Sequence, residues 1–380
     1  MKKVLFVATV VKTHIMEFHI PYLKMFKEMG WETAVAARND YENPADCVIP
    51  YCDTYYNIPF ERNPLKPGNL KAYKELKHII DEGEYDIIHC HTPVGAMLTR
   101  LAAKQARKQG TKVFYTAHGF HFYKGAPAIN WILYYPVEKW LSRYTDVLIT
   151  INKEDYERAK TFKAGKVCYV PGVGIDLKKF RTDDNFYNSK RGELCAELNI
   201  PYDATILLSV GEVNKNKNHR VVIDALGKIG RKNIYYIICG RGPLVEDHKN
   251  RSKQLNIEKQ VILAGYRTDV ADFYKISDVF VFPSLREGLP VSVMEAMASG
   301  LPVIATRIRG SSDIVKDNVN GILLDPMDVD GFENAIIELC DNPNMRKQIA
   351  ANNKEKSLEY DLPKILSEYR KIYGEGKNCE

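Results

Sequence analysis

Short apolar runs alternate with stretches whose apolar residues recur at helical spacing along almost the whole chain. In the first half, Val4–Ala8, Thr33–Ala37, Ile87–His89, Lys112–Thr116 and Val147–Ile151 read as buried strands. Between them, segments such as Asn69–Ile80 set apolar side chains three and four residues apart, the spacing of a helix with one buried face. The second half repeats the pattern with Ile206–Val210, Tyr235–Cys239, Val261–Ala264, Val279–Phe282 and Pro302–Ala305. Such alternation predicts parallel sheets covered by helices on both faces, built twice. Ligands then bind beyond the C-terminal ends of the strands. The natural join is Val170-Pro-Gly-Val-Gly-Ile-Asp176, a Pro/Gly-rich stretch that follows a strand.

The strand Val279–Phe282 leads into Arg286-Glu-Gly-Leu-Pro-Val-Ser-Val-Met-Glu-Ala-Met-Ala-Ser-Gly-Leu-Pro302, which opens a helix at Pro290 and stops it at Gly300 and Pro302. Pro290 reads as its first residue. Glu287 falls in the loop before this helix and Glu295 on its second turn. Outward amides at a helix start favour an anion. A carboxylate on either side of that anion site suits a ligand with a charged middle and hydroxyls at both ends, as in a nucleotide sugar.

This stretch resembles the signature of the retaining nucleotide-sugar glycosyltransferases called group 1, or family 4. The resemblance implies the GT-B fold, α/β with two doubly wound Rossmann-like domains facing across a cleft. It assigns 1–172 to an acceptor-side domain and 173–358 to a nucleotide-sugar domain. The remainder, 359–380, contains a helix crossing back over Tyr360–Tyr373 and a frayed tail from Gly374. By position, Glu295 would hold the ribose and Glu287 the transferred hexose. The amides of Gly288, Leu289, Pro290 and Val291 would lie near sugar and distal phosphate, Pro290 itself lacking an N–H.

Further segments match the same family. Val210-Gly-Glu-Val-Asn-Lys-Asn-Lys-Asn-His219 is a strand running into a polar loop, with Gly211 at its start and Lys217 where the family has its phosphate-binding lysine. Glu212 departs from the family, which has arginine directly after this glycine. Arg286 or Lys215 are the candidate substitutes for that second cation. Gly240, in Cys239-Gly-Arg-Gly-Pro-Leu244, matches a glycine loop where backbone approaches ligand or sheet. Ala264-Gly-Tyr-Arg-Thr-Asp269 matches the segment lining the base, with Tyr266 or Arg267 to stack on it or meet its edge.

In the first half, Thr116-Ala-His-Gly-Phe-His121 follows a strand, and His118 matches the family histidine beside the donor sugar. His121 is a weaker pocket candidate. His89-Cys-His-Thr-Pro93 has a spacing found among metal ligands, but no carboxylate or third ligand stands near in sequence. His89 therefore reads as strand-embedded and His91 as a pocket or cap residue rather than a zinc ligand. The first loop, Thr9–Met16, lacks the Gly-Gly pair of many members, and Thr13 and His14 are the side chains available to fill that space. His14 to Pro21 and Pro-Gly-Val-Gly-Ile-Asp resemble enzymes that build bacterial exopolysaccharide, capsule or protein-linked glycans on a polyprenyl diphosphate at the inner leaflet.

Composition narrows the alternatives. The 380 residues are 45% hydrophobic and 27% charged, enough core for two domains and not a disordered chain. The Met1–Thr9 run resembles a signal n-region, yet no cleavage site follows Val11, and a first buried strand explains it. No apolar run reaches the roughly 18 residues that span a bilayer. Eight cysteines without a Cys-x-x-Cys pair predict reduced thiols in a cytoplasmic protein. The net charge of +6 lies entirely within residues 1–170, a basic half suited to anionic lipid, an anionic acceptor or plain solubility. No basic stripe interleaved with aromatics suggests nucleic acid. Ala128–Tyr144 is aromatic and apolar with Lys139 and Arg143, and reads as a core helix pair broken at Pro136 or as a membrane-interface segment.

The resulting expectation is a glycosyltransferase moving a hexose or N-acetylhexosamine from a UDP-sugar to a glycan acceptor, with retention and front-face displacement. Lys217 and the amides at 288–291 would stabilise the leaving diphosphate. No cofactor is expected, and without an Asp-x-Asp motif no metal. Two other readings stay open: a sugar-nucleotide epimerase on the same fold, and a non-catalytic scaffold or glycan-binding protein.

Overall fold

The computed structural model describes residues 1–181 and 184–374, which form two compact units. The first comprises Met1–Val173 together with the chain from Ile365, and the second Gly174–Lys364. The part of the expected tail from 375 onward lies outside the described residues.

The first unit holds seven strands: β1 (Lys3–Val10), β2 (Glu32–Arg38), β3 (Thr54–Asn57), β4 (Ile87–Cys90), β5 (Lys112–Ala117), β6 (Val147–Thr150) and β7 (Lys166–Tyr169). All pair in parallel, in the order β3-β2-β1-β4-β5-β6-β7. Strand side chains alternate between faces, and here both faces are core. Leu5 and Val7 of β1 join one buried cluster with Ala34, Ala36, Ile88 and Cys90. Val4, Phe6 and Ala8 join another with Val35, Ala37 and Ile87. This two-sided burial explains why the strands read as continuous apolar runs rather than alternating ones.

Among the helices, α1 (Ile20–Glu28) follows a single π-helical turn, Val11–Ile15. A later helix, α2 (Ala128–Leu141), runs unbroken through Pro136, contrary to the broken core pair expected from sequence. Proline removes one N–H and crowds the carbonyl four residues earlier. That carbonyl belongs to Ile132, on the exposed side, where water can solvate it. The stripe Ile129, Ile132, Leu133, Val137 and Trp140 is 41–67% exposed, so the apolar face of α2 points outward. Its inner face packs Trp131 and Tyr135 on the core and sends Glu138 to the buried guanidinium of Arg100, with both N–H···O distances at 2.8 Å. Among the described residues, no helix is long and apolar enough to cross a membrane.

The second unit holds β8 (Thr205–Val210), β9 (Ile234–Cys239), β10 (Val261–Gly265), β11 (Val279–Phe282), β12 (Val303–Thr306) and β13 (Gly321–Leu324). They form a parallel sheet in the order β10-β9-β8-β11-β12-β13. Strands β3, β7 and β13 lie outside the runs named from sequence. All three are four-residue edge strands, and their short stretches carry little periodic signal. A short helix, α3 (Val291–Ala298), follows β11.

The last helix, α4 (Leu362–Gly374), contributes Ile365, Tyr369, Ile372 and Tyr373 to the first unit's core. This i, i+4, i+7, i+8 stripe is the apolar face of a docked helix. The seven cysteines among the described residues are all free thiols.

Candidate functional site

Each sheet reverses its winding once, between β1 and β4 in the first unit and between β8 and β11 in the second. Open parallel sheets bind ligands at such switch points, because loops on either side diverge there and leave a crevice. The sequence-predicted residues gather at these two places.

In the second unit, the loop after β8 carries Lys217 and the loop after β11 carries Glu287. The Lys217 ammonium donates to Glu287 Oε1 at 2.7 Å and lies 4.9 Å from the centre of the Phe282 ring. Asn216 and Asn218 stitch the two loops together: Asn216 Nδ2 donates to the Arg286 carbonyl and Asn218 Nδ2 to that of Pro283. Both charges are only part-exposed, with backbone fixed by amide side chains, so the pair is built into the strand ends.

Pro290 is the N-cap of α3 in an extended conformation, not its first helical residue as predicted. Its carbonyl accepts from the Val293 N–H at 3.2 Å. Gly288 and Leu289 form the approach to this helix start, and Val291 is its first residue. On the second turn, Glu295 accepts from the Tyr274 hydroxyl at 2.9 Å. Burial and the neighbouring carboxylate push the Tyr274 phenol well above its usual range, so it stays protonated and donating. The Tyr274 hydroxyl also reaches the Ser292 carbonyl at 3.2 Å, on the first turn of the same helix.

Gly211 and Gly240 mark where the β8 and β9 loops touch. A Cβ on Gly240 would fall 1.9 Å from the Gly211 carbonyl oxygen, so only glycine permits this crossing. Gly211 itself takes a φ of +151°. Glu212 is exposed. Arg286 and Lys215, the candidate substitute cations, are exposed as well. Arg309, which the sequence did not single out, donates from Nε to the Glu287 carbonyl at 3.3 Å. Its position after β12 gave no local motif to find it by. Tyr266 is exposed, with the Arg241 guanidinium 5.8 Å from its ring. Arg267 is clamped by Glu197 and Asp269 at 2.7 and 2.6 Å, which leaves its guanidinium less available for a base than the sequence suggested.

In the first unit, His14 lies on the π turn after β1, His91 directly after β4 and His118 directly after β5. The structure adds His19, which precedes α1 and appeared in the sequence only as part of the His14–Pro21 motif. One ring nitrogen from each of these four histidines lies within 4.8 Å of the others. His91 Nδ1 and His118 Nε2 are 3.3 Å apart, and the His19 and His91 rings are 3.9 Å between centres. No further ligand stands near His91 in the sequence, because its neighbours arrive from two other strand-end segments, those after β1 and β5.

Burial and adjacent imidazoles hold all four rings neutral: His14 falls to about 3, His118 to about 4 by burial alone, and His19 and His91 well below the usual range. Beneath them His89 is strand-embedded, as expected, with Nε2 2.8 Å from Thr116 Oγ1 and Nδ1 bonded to the Tyr373 hydroxyl from α4. Two candidates stand apart from this group. His121 stacks on Tyr134 of α2 at 4.7 Å, and exposed Thr13 donates to Asp40 at 3.1 Å.

Residues 190–356 match the family described as "Glycosyl transferases group 1", and residues 3–152 match "Glycosyl transferase 4-like". The chain is 41% identical to the Bacillus subtilis protein named putative glycosyltransferase EpsD, over 98% of this chain and 96% of that one. It is 31% identical to an Escherichia coli UDP-Gal:alpha-D-GlcNAc-diphosphoundecaprenol alpha-1,3-galactosyltransferase, over 82% and 81% of the two chains. Among solved structures, Anabaena HepE in complex with UDP and glucose superposes with a TM-score of 0.82 at 18% identity, covering 98% of this chain and 99% of that one, a likeness of fold. Two Rossmann-like parallel sheets, the Glu287–Glu295 stretch and these matches together place the chain among the group 1 glycosyltransferases of the GT-B fold, as an enzyme of bacterial glycan biosynthesis.

Proposed function

We propose that this glycosyltransferase moves a hexose or N-acetylhexosamine from a UDP-sugar, with retention of configuration, to a polyprenyl-diphosphate-linked glycan at the cytoplasmic face of the membrane. The observation that carries the donor side is the joined β8 and β11 strand-end site, where a cation, a carboxylate and a helix start meet within one rigid frame. Lys217 is now occupied by Glu287. An incoming diphosphate offers the ammonium a stronger anionic partner, which frees Glu287 to accept from a sugar hydroxyl. The Glu295 carboxylate, oriented by Tyr274, takes the ribose hydroxyls. Arg309 stands close enough to supply the second cation that Glu212 replaces. His118 is the residue assigned to the transferred hexose by resemblance.

In the reaction, the bond from the anomeric carbon to the diphosphate oxygen breaks. The acceptor hydroxyl bonds to that carbon from the same face, and its proton passes to the departing phosphate oxygen. Catalysis is then positioning plus charge stabilisation of the leaving group.

The acceptor reading draws on two relatives whose names specify diphosphoundecaprenol-linked acceptors, one of them the Escherichia coli enzyme above. It also draws on the outward apolar stripe of α2. From Lys104 to Arg143 the sequence carries seven Lys/Arg and one acidic residue, Glu138, which turns inward to Arg100. An apolar stripe amid cations fits an anionic bilayer surface.

Calorimetric titration with UDP, GDP and ADP, followed by transfer assays with UDP-sugars and polyprenyl-diphosphate-linked acceptors, tests this reading. Selective UDP binding and transfer with an α product support it. Preference for GDP or ADP, or an inverted product, overturns the donor or stereochemical part.

A further inference from the structure

The four histidines of the first unit make more lone pairs available than the protein uses. Nε2 of His14, His19 and His91 is in each case buried without a hydrogen-bond partner. Buried nitrogens left this way are costly, and the rings of His14 and His19 that carry two of them are 4.9 Å apart between centres. The group also has a structural cause. His14 and His19 are five residues apart, a spacing that a regular α-helix turns to different sides. The chain here is not one regular helix: His14 sits in the π turn Val11–Ile15, a three-residue α turn follows, and His19 lies just beyond it, with both rings near His91. Single π turns of this kind are frequent at functional sites.

We propose that His14, His19, His91 and His118 bind one late first-row transition metal ion of the zinc class. The ligand set selects the metal. Neutral imidazoles suit zinc, cobalt, nickel or copper, whereas magnesium and calcium need oxygen donors that this set lacks. The separation of His91 Nδ1 and His118 Nε2, 3.3 Å, equals the edge of a tetrahedron with zinc–nitrogen bonds of about 2.0 Å. The widest separation, 4.8 Å, requires the remaining rings to draw inward on binding. Burial already keeps the four rings in the neutral form that ligates.

Four protein ligands make a closed site, structural rather than hydrolytic. It would tie the loops after β1, β4 and β5 to one point. It would also fix a tautomer: metal on His118 Nε2 leaves the proton on Nδ1, so His118 becomes an obligate donor from that atom. This last consequence rests on the donor-sugar reading of His118, whereas the metal site itself does not.

The test uses untagged, full-length protein dialysed against chelator and titrated with Zn²⁺ and, separately, Co²⁺, without nucleotide. Expected are one equivalent bound per chain, an intense visible cobalt band of four-coordinate geometry, and an X-ray absorption spectrum of the zinc form with nitrogen scatterers only. His14→Gln and His91→Gln should each weaken binding about a hundredfold or more, while His78→Gln, at an exposed helix position, should leave it unchanged. The proposal is overturned if the wild-type protein takes up no stoichiometric metal. It is equally overturned if oxygen or sulfur scatterers appear, or if His14→Gln and His91→Gln bind as wild type. Should those variants misfold, the absorption spectrum of the wild-type protein still decides. UDP affinity is measured separately, so failure of the donor reading would leave this result intact.

Discussion

At the scale of single residues, the two glutamates of the second unit differ in their partners, and that difference sets what each substitution does. Glu295 has a neutral partner, the Tyr274 hydroxyl, which orients one carboxylate oxygen. Glu295→Ala is expected to weaken UDP binding about 10- to 100-fold, the worth of hydrogen bonds to a charged group. Tyr274→Phe should weaken it only a few-fold, because the carboxylate stays and loses its orientation alone. Titration calorimetry separates the two, and equal affinity in Glu295→Ala and wild type would exclude a ribose role. Lys217→Ala should cost about 10²- to 10³-fold in kcat if its charge falls on the leaving group, and full turnover in that variant would remove it from catalysis. The Glu-Gly-Leu-Pro-Val stretch made these positions legible in sequence, since helix-stop chemistry and spacing are local. The Lys217–Glu287 pairing, 70 residues apart in the chain, was not, nor was the approach of Arg309.

At the scale of elements, strand runs were legible because burial on both faces makes them continuously apolar. Helix α2 was ambiguous for the opposite reason. Apolar residues occupy both of its faces, and periodicity cannot tell an inward stripe from an outward one when both carry aromatics. The structure assigns Trp131 and Tyr135 to the core and Ile132 and Leu133 to the outside. Ile132→Glu combined with Leu133→Glu should therefore abolish co-sedimentation with vesicles containing anionic lipid. The thermal midpoint should stay within a degree or two, because exposed substitutions change stability by only about 0.5 kcal/mol. A large drop in the midpoint, or undiminished vesicle binding, would contradict a surface role for this helix.

At the scale of the molecule, titration is unevenly divided. The first unit buries five histidines whose pKa is lowered, His14, His19, His89, His91 and His118. The second has two, His219 and His248. Between each lowered value and the usual 6.5, the unfolded chain binds more protons than the folded one, so stability falls as pH falls through that window. The slope is at most about 1.4 kcal/mol per pH unit for each independent group. In the metal-free protein the first unit is thus expected to unfold at a higher pH than the second. All three tryptophans, Trp31, Trp131 and Trp140, lie in the first unit, so their fluorescence reports it alone, while far-ultraviolet circular dichroism reports both. The fluorescence midpoint should fall at higher pH than the completion of the dichroism change, and coincident curves would show one cooperative block. No sequence pattern predicts this asymmetry, because the histidines are scattered over more than a hundred positions and only the winding of the sheet collects them.

The bidentate contact between Glu138 and Arg100 bears on kinetics. Arg100 is buried beside the Tyr115 ring, 4.2 Å from its centre, so rolling α2 to conceal its outer stripe would leave that guanidinium uncompensated, at a cost of about 3–5 kcal/mol. The helix is consequently locked in its presenting orientation from the moment of folding. Adsorption to a lipid surface then needs no preceding rearrangement: stopped-flow traces should be single-exponential without a lag, with an observed rate rising linearly in vesicle concentration and never reaching a plateau.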